Sequence, residues 1–177
     1  MIKSVLKGSL IVALGAVLFA APASAQIGWS VGLGMTMPQG DLGDGTVNGF
    51  HGLGAATFTL PAAPIKIRGD FMYHTLGADE DVFGDADVSF NLITVSGDAQ
   101  WTIMPGPLSP YVIGGFTWGS ASFGGDDAPD VDSESDIGFN LGGGLDFGLG
   151  ALKLFAEARY FSVGDSDFLP ITVGIHF

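Results

Sequence analysis

The sequence predicts an all-β protein, an eight-stranded antiparallel up-and-down β-barrel. Three observations lead to this fold class. After residue 26, apolar and polar residues alternate with a period of two in eight segments, and no helical period of useful length appears. The connections between these segments alternate between short and long. The last segment, Phe168 to Phe177, alternates regularly and ends on an aromatic residue.

The N-terminus has the parts of a secretory signal peptide over residues 1–25. Two lysines precede an apolar stretch at 9–21, and Ala23-Ser24-Ala25 supplies a small-residue cleavage site. The apolar stretch is too short for a spanning helix, which disfavours the alternative of a membrane anchor. We therefore expect a cleavable signal peptide at 1–25 and a single exported domain at 26–177. The chain has no cysteine, so disulfides and thiolate metal sites are excluded.

Each of the first four predicted strands has one apolar face. These faces carry Ile27, Trp29, Val31, Leu33 and Met35 in strand 26–37; Phe50, Ala56 and Phe58 in strand 47–60; Ile65, Ile67, Phe71 and Tyr73 in strand 65–76; and Ile93, Val95, Ala99 and Trp101 in strand 88–103. The opposite faces carry mostly small, hydroxyl-bearing or charged residues, together with Leu53 and Met72. This division is typical of strands with one face in an apolar medium and the other in a polar interior.

Three of the last four strands show the same division. Their apolar faces carry Ile137, Phe139, Leu141, Leu145 and Phe147 in strand 137–148; Leu152, Leu154, Ala156, Ala158 and Tyr160 in strand 151–163; and Leu169, Ile171, Val173, Ile175 and Phe177 in strand 168–177. The fifth strand, 109–122, has apolar residues on both sides, so the sequence leaves its facing open.

The connections favour a transmembrane barrel. Residues 61–64, 104–107 and 149–150 form short turns on the side of the termini, whereas the other side carries the longer loops 38–46, 77–87 and 124–136 and the brief loop 164–167. Alternating segments of about ten residues suit a tilted crossing of about 25 Å of hydrocarbon. Only a closed barrel satisfies every backbone polar group of such strands in lipid.

Eight charged residues lie in the predicted strands, all on the face opposite the apolar one. They are Lys66, Arg68, Asp70, Asp98, Asp146, Lys153, Glu157 and Arg159. A charge that faces lipid at the bilayer midplane costs roughly 2–4 kcal/mol, so we expect these side chains in the lumen. Because eight strands leave an interior filled by side chains, we interpret them as a lumen polar network that plugs the barrel. The alternative is an ion path or gate through the same network.

Three motifs resemble a known family. Pro110-Tyr-Val-Ile-Gly-Gly115, Asn140-Leu-Gly-Gly-Gly-Leu-Asp146 and Leu154-Phe-Ala-Glu-Ala-Arg-Tyr160, together with the exported eight-stranded pattern, resemble the outer-membrane β-barrel domain family, which includes the barrels of outer-membrane proteins A and X. The resemblance implies a place in the bacterial outer membrane, with outer-membrane lipid and lipopolysaccharide as surroundings. It also implies that Phe177 is the C-terminal signal presented to the outer-membrane assembly machinery.

The charge balance is strongly acidic. Nineteen acidic and six basic residues give a formal net charge of −13, which argues against nucleic acid or an anionic membrane surface as a partner. Fifteen of the acids fall in the predicted loops. Carboxylates suit hard cations, so divalent cations are candidate partners of these loops. The loop 124–136 lacks the central glycine of a helix-loop-helix calcium loop, so a solvated acidic surface without a ligand is the favoured interpretation.

The sequence contains no recognisable catalytic, cofactor-binding or metal-binding motif. His51, His74 and His176 are interpreted as lumen polar residues, because no serine adjoins His51 or His74 and no catalytic pattern is matched. The glycine runs 114–115 and 142–144 lie within strands and precede no helix, so they are not phosphate loops. We expect no enzyme and no cofactor.

We therefore expect a non-enzymatic bacterial outer-membrane barrel with a structural or surface-interaction role, acidic external loops and a plugged lumen. One alternative is a small porin-like channel for ions or small solutes. Less favoured alternatives are a lipid-modifying outer-membrane enzyme and a soluble, exported ligand-binding barrel, which the charged inner face disfavours.

Overall fold

The computed structural model describes residues 27–44, 46–60, 63–78, 89–124, 133–150 and 152–177. The predicted signal peptide at 1–25 lies outside the described residues, as do most acids of the predicted loops 77–87 and 124–136. Within the described part, no helix is long and apolar enough to cross a membrane.

Eight strands and one short helix make up the described fold. They are β1 (Ile27–Gln39), α1 (Gly40–Gly43), β2 (Thr46–Thr59), β3 (Ile65–Ala78), β4 (Ser89–Thr102), β5 (Leu108–Gly124), β6 (Glu134–Leu149), β7 (Leu152–Val163) and β8 (Ser166–His176). Each strand pairs antiparallel with the next, and β8 pairs with β1, so the sheet closes into a barrel in sequence order. The predicted fold class is confirmed.

The side chains alternate between the outer surface and the lumen as predicted. The predicted apolar faces point outward, whereas Met72, His74 and Thr117 are fully buried inside. No water fills a hydrocarbon layer, so an outer surface of this kind is suited to lipid.

The facing of β5, which the sequence left open, alternates regularly between the outer surface and the lumen in the structure. Val112, Phe116 and Trp118 point outward, and Tyr111 and Ile113 point into the lumen. Because Tyr111 and Ile113 are largely apolar and still face the lumen, the sequence of β5 does not show an alternation of apolar and polar residues. Tyr111 is suited to the lumen because its hydroxyl reaches a polar partner there, as described below.

The strand ends differ from the prediction on the loop side. Because β6 begins at Glu134 rather than 137, Glu134 and Asp136 belong to a strand instead of a loop. The connection between β7 and β8 is a two-residue turn, in which Gly164 has a φ of 58°. Glycine adopts this left-handed conformation without a steric penalty, which permits the tight hairpin. The short helix α1 was not predicted.

The C-terminal residue completes the closure of the barrel. The Trp29 N–H donates to the Phe177 carbonyl and the Phe177 N–H donates to the Trp29 carbonyl, both at 2.9 Å. The Phe177 side chain is on the outer surface and is 69% exposed. Phe177 therefore contributes both a backbone pair at the β1–β8 seam and an outward aromatic ring.

Deletion of Phe177 should lower the amount of assembled barrel severalfold, because the seam loses two backbone hydrogen bonds and an aromatic anchor. Heat-modifiable electrophoretic migration of the membrane fraction measures the assembled form. The variant Phe177→Tyr keeps both features and should assemble like the wild type. Equal amounts of assembled barrel from the deletion and the wild type would contradict this role.

Candidate functional site in the barrel lumen

Five charged side chains meet in the middle of the lumen, and we call them the charge cluster: Arg68, Asp70, Asp98, Glu157 and Arg159. Two come from β3, one from β4 and two from β7, and within β3 and β7 the members are two residues apart. This spacing places both members of each pair on the inner face. All five are between 1% and 5% exposed, so the cluster is buried inside the barrel.

Arg159 is the centre of the charge cluster. Its Nη1 donates to Asp98 Oδ2 at 2.9 Å and lies 3.0 Å from Asp70 Oδ2, and its Nε lies 2.9 Å from Glu157 Oε1. Arg68 Nη1 donates to Glu157 Oε2 at 2.7 Å, and Arg68 Nε lies 3.2 Å from Asp70 Oδ2. The contacts to Asp70 are charge contacts without hydrogen-bond alignment. One guanidinium therefore contacts three carboxylates that come from two sides of the barrel.

Neutral side chains extend the charge cluster across further strands. The Tyr111 hydroxyl donates to Glu157 Oε2 at 2.7 Å, and Asn140 Nδ2 donates to Asp98 Oδ1 at 2.7 Å and to Thr117 Oγ1 at 3.0 Å. The Arg159 guanidinium also lies 4.9 Å from the centre of the Phe161 ring, within cation–π range. Strands β3 to β7 are thus all tied to one polar layer.

Glycines on the inner face make room for this layer, and the sequence analysis did not assign them this role. A Cβ at Gly115 would lie 2.5 Å from Asp98 Oδ1, one at Gly142 would lie 2.7 Å from Arg159 Cγ, and one at Gly144 would lie 2.5 Å from the Tyr111 hydroxyl. The alternation along each strand places these glycines on the inner face. In the structure each one is the register partner of a large inward side chain: Gly115 pairs with Asp98 and Gly144 with Tyr111.

The remaining predicted lumen charges lie nearer the termini and apart from the cluster. Lys66 Nζ lies 3.5 Å from Asp146 Oδ2, and His176 Nε2 lies 3.1 Å from Asp146 Oδ1. Lys153 is exposed at this end and forms no ion pair with any described residue. The structure therefore divides the eight predicted charges into a cluster of five, the pair Lys66–Asp146 and a separate Lys153.

The other two histidines form a buried layer on the loop side of the lumen. His51 and His74 are register partners on β2 and β3, and their Nδ1 atoms lie 2.8 Å and 2.7 Å from Thr36 Oγ1. His51 Nε2 lies 2.9 Å from Thr172 Oγ1. These groups are at most 4% exposed. A hydroxyl between two imidazoles resembles an activated nucleophile, but here the hydroxyl and both rings are buried in the lumen.

The described residues contain no group of three or more His, Cys, Asp or Glu side chains suited to a metal ion.

A closed eight-stranded barrel with an apolar exterior and a charged interior has the geometry that an outer-membrane protein requires. Comparison with known proteins decides the family. The family model described as "Outer membrane protein beta-barrel domain" matches residues 10–175.

This chain belongs to that family. A search of curated proteins finds no match. Among solved structures, Neisserial surface protein A from Neisseria is 17% identical with a TM-score of 0.68, and the match covers 86% of this chain and 97% of that one. A major outer membrane protein from Thermus thermophilus is 14% identical with a TM-score of 0.63, and the match covers 87% of this chain and 98% of that one.

The attachment invasion locus protein Ail of Yersinia pestis is 20% identical with a TM-score of 0.57, covering 85% of this chain and 97% of that one. Identities this low support the shared fold alone. As a member of the outer-membrane β-barrel family, the chain resides in the bacterial outer membrane. In such barrels the short turns face the periplasm and the longer loops face outward. The start of β1 and the end of β8 lie on the side of the short turns.

The contacts of Arg159 predict a large stability effect. Arg159→Ala should destabilise the folded barrel by roughly 3–5 kcal/mol, because three buried carboxylates lose a shared partner. Thermal unfolding in detergent measures the midpoint. Adding Asp98→Asn should restore part of the loss, and Asp146→Asn should not, because Asp146 pairs with Lys66. The exposed Lys153→Ala is the control and should stay near the wild type; an unchanged midpoint for Arg159→Ala would rule out the coupling.

Two glycines test the space around the charge cluster. Gly115→Ala should destabilise the barrel by roughly 1–3 kcal/mol, because the new methyl group would clash with the Gly97 carbonyl oxygen and press on Asp98. Gly97→Ala is the matched control on the neighbouring strand, where a Cβ would have nothing within 4 Å. Its unfolding midpoint should equal or slightly exceed that of the wild type. Similar losses in both variants would show that backbone effects, rather than crowding, determine the result.

Proposed function

We propose that this protein is a non-conducting outer-membrane barrel with a structural or surface-interaction role. The observation that carries the proposal is the buried charge cluster across the middle of the lumen. Arg159, at 1% exposure, contacts carboxylates from β3, β4 and β7. An ion crossing the barrel would have to displace these paired groups.

The size of the barrel supports the same proposal. An eight-stranded barrel has an interior just wide enough for side chains to fill. Here the histidine layer lies on the loop side of the charge cluster, and the stacked Phe161 and Phe168 rings, with centroids 5.0 Å apart, lie beside it. A permanent water-filled path would require several of these layers to rearrange together.

We further propose that the protein is not an enzyme. A lipid-modifying barrel needs a nucleophile and a base that a lipid can reach. His51, His74 and Thr36 satisfy one another inside the lumen and are buried. Their arrangement supports a role in packing and polar satisfaction of the interior.

The acidic net charge of the chain favours cationic partners for its outer face. Ail of Yersinia pestis has been solved with the heparin analogue sucrose octasulfate, a polyanion. The present chain has a formal net charge of −13, and most of its acids follow the loop-side ends of the strands. Like charges oppose a polyanionic partner. We therefore propose cationic partners for the outer face, including divalent cations, within a surrounding of outer-membrane lipid and lipopolysaccharide.

Planar-bilayer recordings test the closed lumen. The purified wild-type barrel should show no steady conductance steps, because the charge cluster occupies the lumen. Arg159→Ala should increase the frequency of openings, whereas Lys153→Ala, outside the cluster, should leave the silent baseline unchanged. Stable wild-type steps with charge-dependent selectivity would overturn the proposal and favour the small-channel alternative.

A further inference from the structure

We propose that the periplasmic mouth of the barrel is a binding site for a small anion that carries a phosphate or a carboxylate. The site is a cavity of about 340 Å³, which we call the vestibule. It lies at the end of the barrel where β1 begins and β8 ends, and its lining includes Ile27 and Phe177. Small-molecule sites in proteins start at about 300 Å³. The vestibule lies outside the charge cluster, so the inference is independent of whether the lumen conducts.

Two lysines and a histidine line the vestibule, and Asp146 contacts Lys66 and His176 from an adjoining cavity. Lys66 on β3 and Lys153 on β7 stand on strands at opposite sides of the eight-stranded barrel, and His176 on β8 lies between them in the lining. Two ammonium groups that face one cavity from opposite walls favour an anion between them.

The two lysines are unequally available to a ligand. Lys66 has a long contact of 3.5 Å with Asp146, whose carboxylate belongs to the lining of an adjoining cavity. Lys153 forms no ion pair with a described residue. Among the described residues, Lys153 is therefore an ammonium group without an acidic partner, and Lys66 is one with a single long contact.

An amide without a protein partner adds a donor to the vestibule. Gln100 is only 2% exposed and lines the vestibule, yet its side chain has no hydrogen-bond partner among the described residues. The Gln100 amide is not among the fully buried polar atoms without a partner, so it opens onto the vestibule and is available to a ligand there. Gln100 is the register partner of Lys66, which places an amide donor beside an ammonium donor.

The donor set defines the class of ligand. Lysine ammonium groups, an amide N–H₂ and the hydroxyls of Thr57 and Thr59, which line the same cavity, can all donate to oxyanions. A metal cation would meet two like charges here, and an apolar solute would leave the donors unsatisfied. Phosphate and carboxylate groups share the required chemistry.

Nuclear magnetic resonance of the folded barrel in lipid nanodiscs tests the site. Titration with inorganic phosphate, glycerol 3-phosphate or succinate should shift the Gln100 side-chain amide signals saturably. Tighter binding of the phosphates would identify a phosphate ligand, and tighter binding of succinate a carboxylate ligand. Lys153→Gln should weaken the binding about tenfold, as expected for the loss of one charge-assisted hydrogen bond.

The matched control is Ser135→Asp, which makes net charge more negative by one unit at the opposite, exposed end of the barrel. Its affinity should equal that of the wild type. Two results would overturn the proposal: no saturable shift of Gln100 with any of the three anions, or equal weakening in Lys153→Gln and Ser135→Asp, which would indicate a general charge effect. Gln100→Leu removes the reporting amide, so its binding is followed through the backbone amide signal of Thr57, which lines the same cavity. All three anions should bind this variant more weakly, while its unfolding midpoint stays near that of the wild type.

Discussion

Closure of the sheet is the constraint on which the rest of this structure depends. In hydrocarbon, an unpaired backbone group costs several kcal/mol, so every strand needs two neighbours. The β1–β8 seam meets this requirement from Ser30–His176 to Gln39–Asp167, and the paired Trp29 and Phe177 extend it to the last residue. Once the sheet is closed, each side chain has only two environments. All strand charges that would face lipid must therefore gather in a narrow interior.

The narrow interior explains why glycine and arginine occur together. A guanidinium with several carboxylate partners needs more width than an eight-stranded barrel provides if every inward position carries a side chain. Gly115 and Gly142 remove that volume beside Asp98 and Arg159. Burial of charges is costly unless partners surround them, and Arg159 has three carboxylates and the Phe161 ring around it. Space and charge are thus matched at the same level of the lumen.

The sequence predicted the features that depend on local periodicity. Seven strand facings followed from alternation, and the strand bounds were close except at β6 and β8, where acidic residues such as Glu134 and Asp167 continue a strand beyond the apolar segment. Partnerships across the lumen were not predictable. Asp146 and Asp98 are both inward acids, yet only Asp98 meets Arg159, because the stagger between strands sets their levels. Periodicity within one strand contains no information on that stagger.

One aromatic residue, Phe155, lies between the charge cluster in the middle of the lumen and the vestibule at its periplasmic end. The Phe155 ring lies 5.9 Å from the Arg68 guanidinium on one side and 4.7 Å from the His176 ring on the other. Gly32 and Gly174 leave the space that this ring occupies. An apolar ring limits the exchange of water and charge between the two polar regions. Substitutions in the vestibule and in the charge cluster should therefore act almost additively, because no ion pair of the described residues joins them.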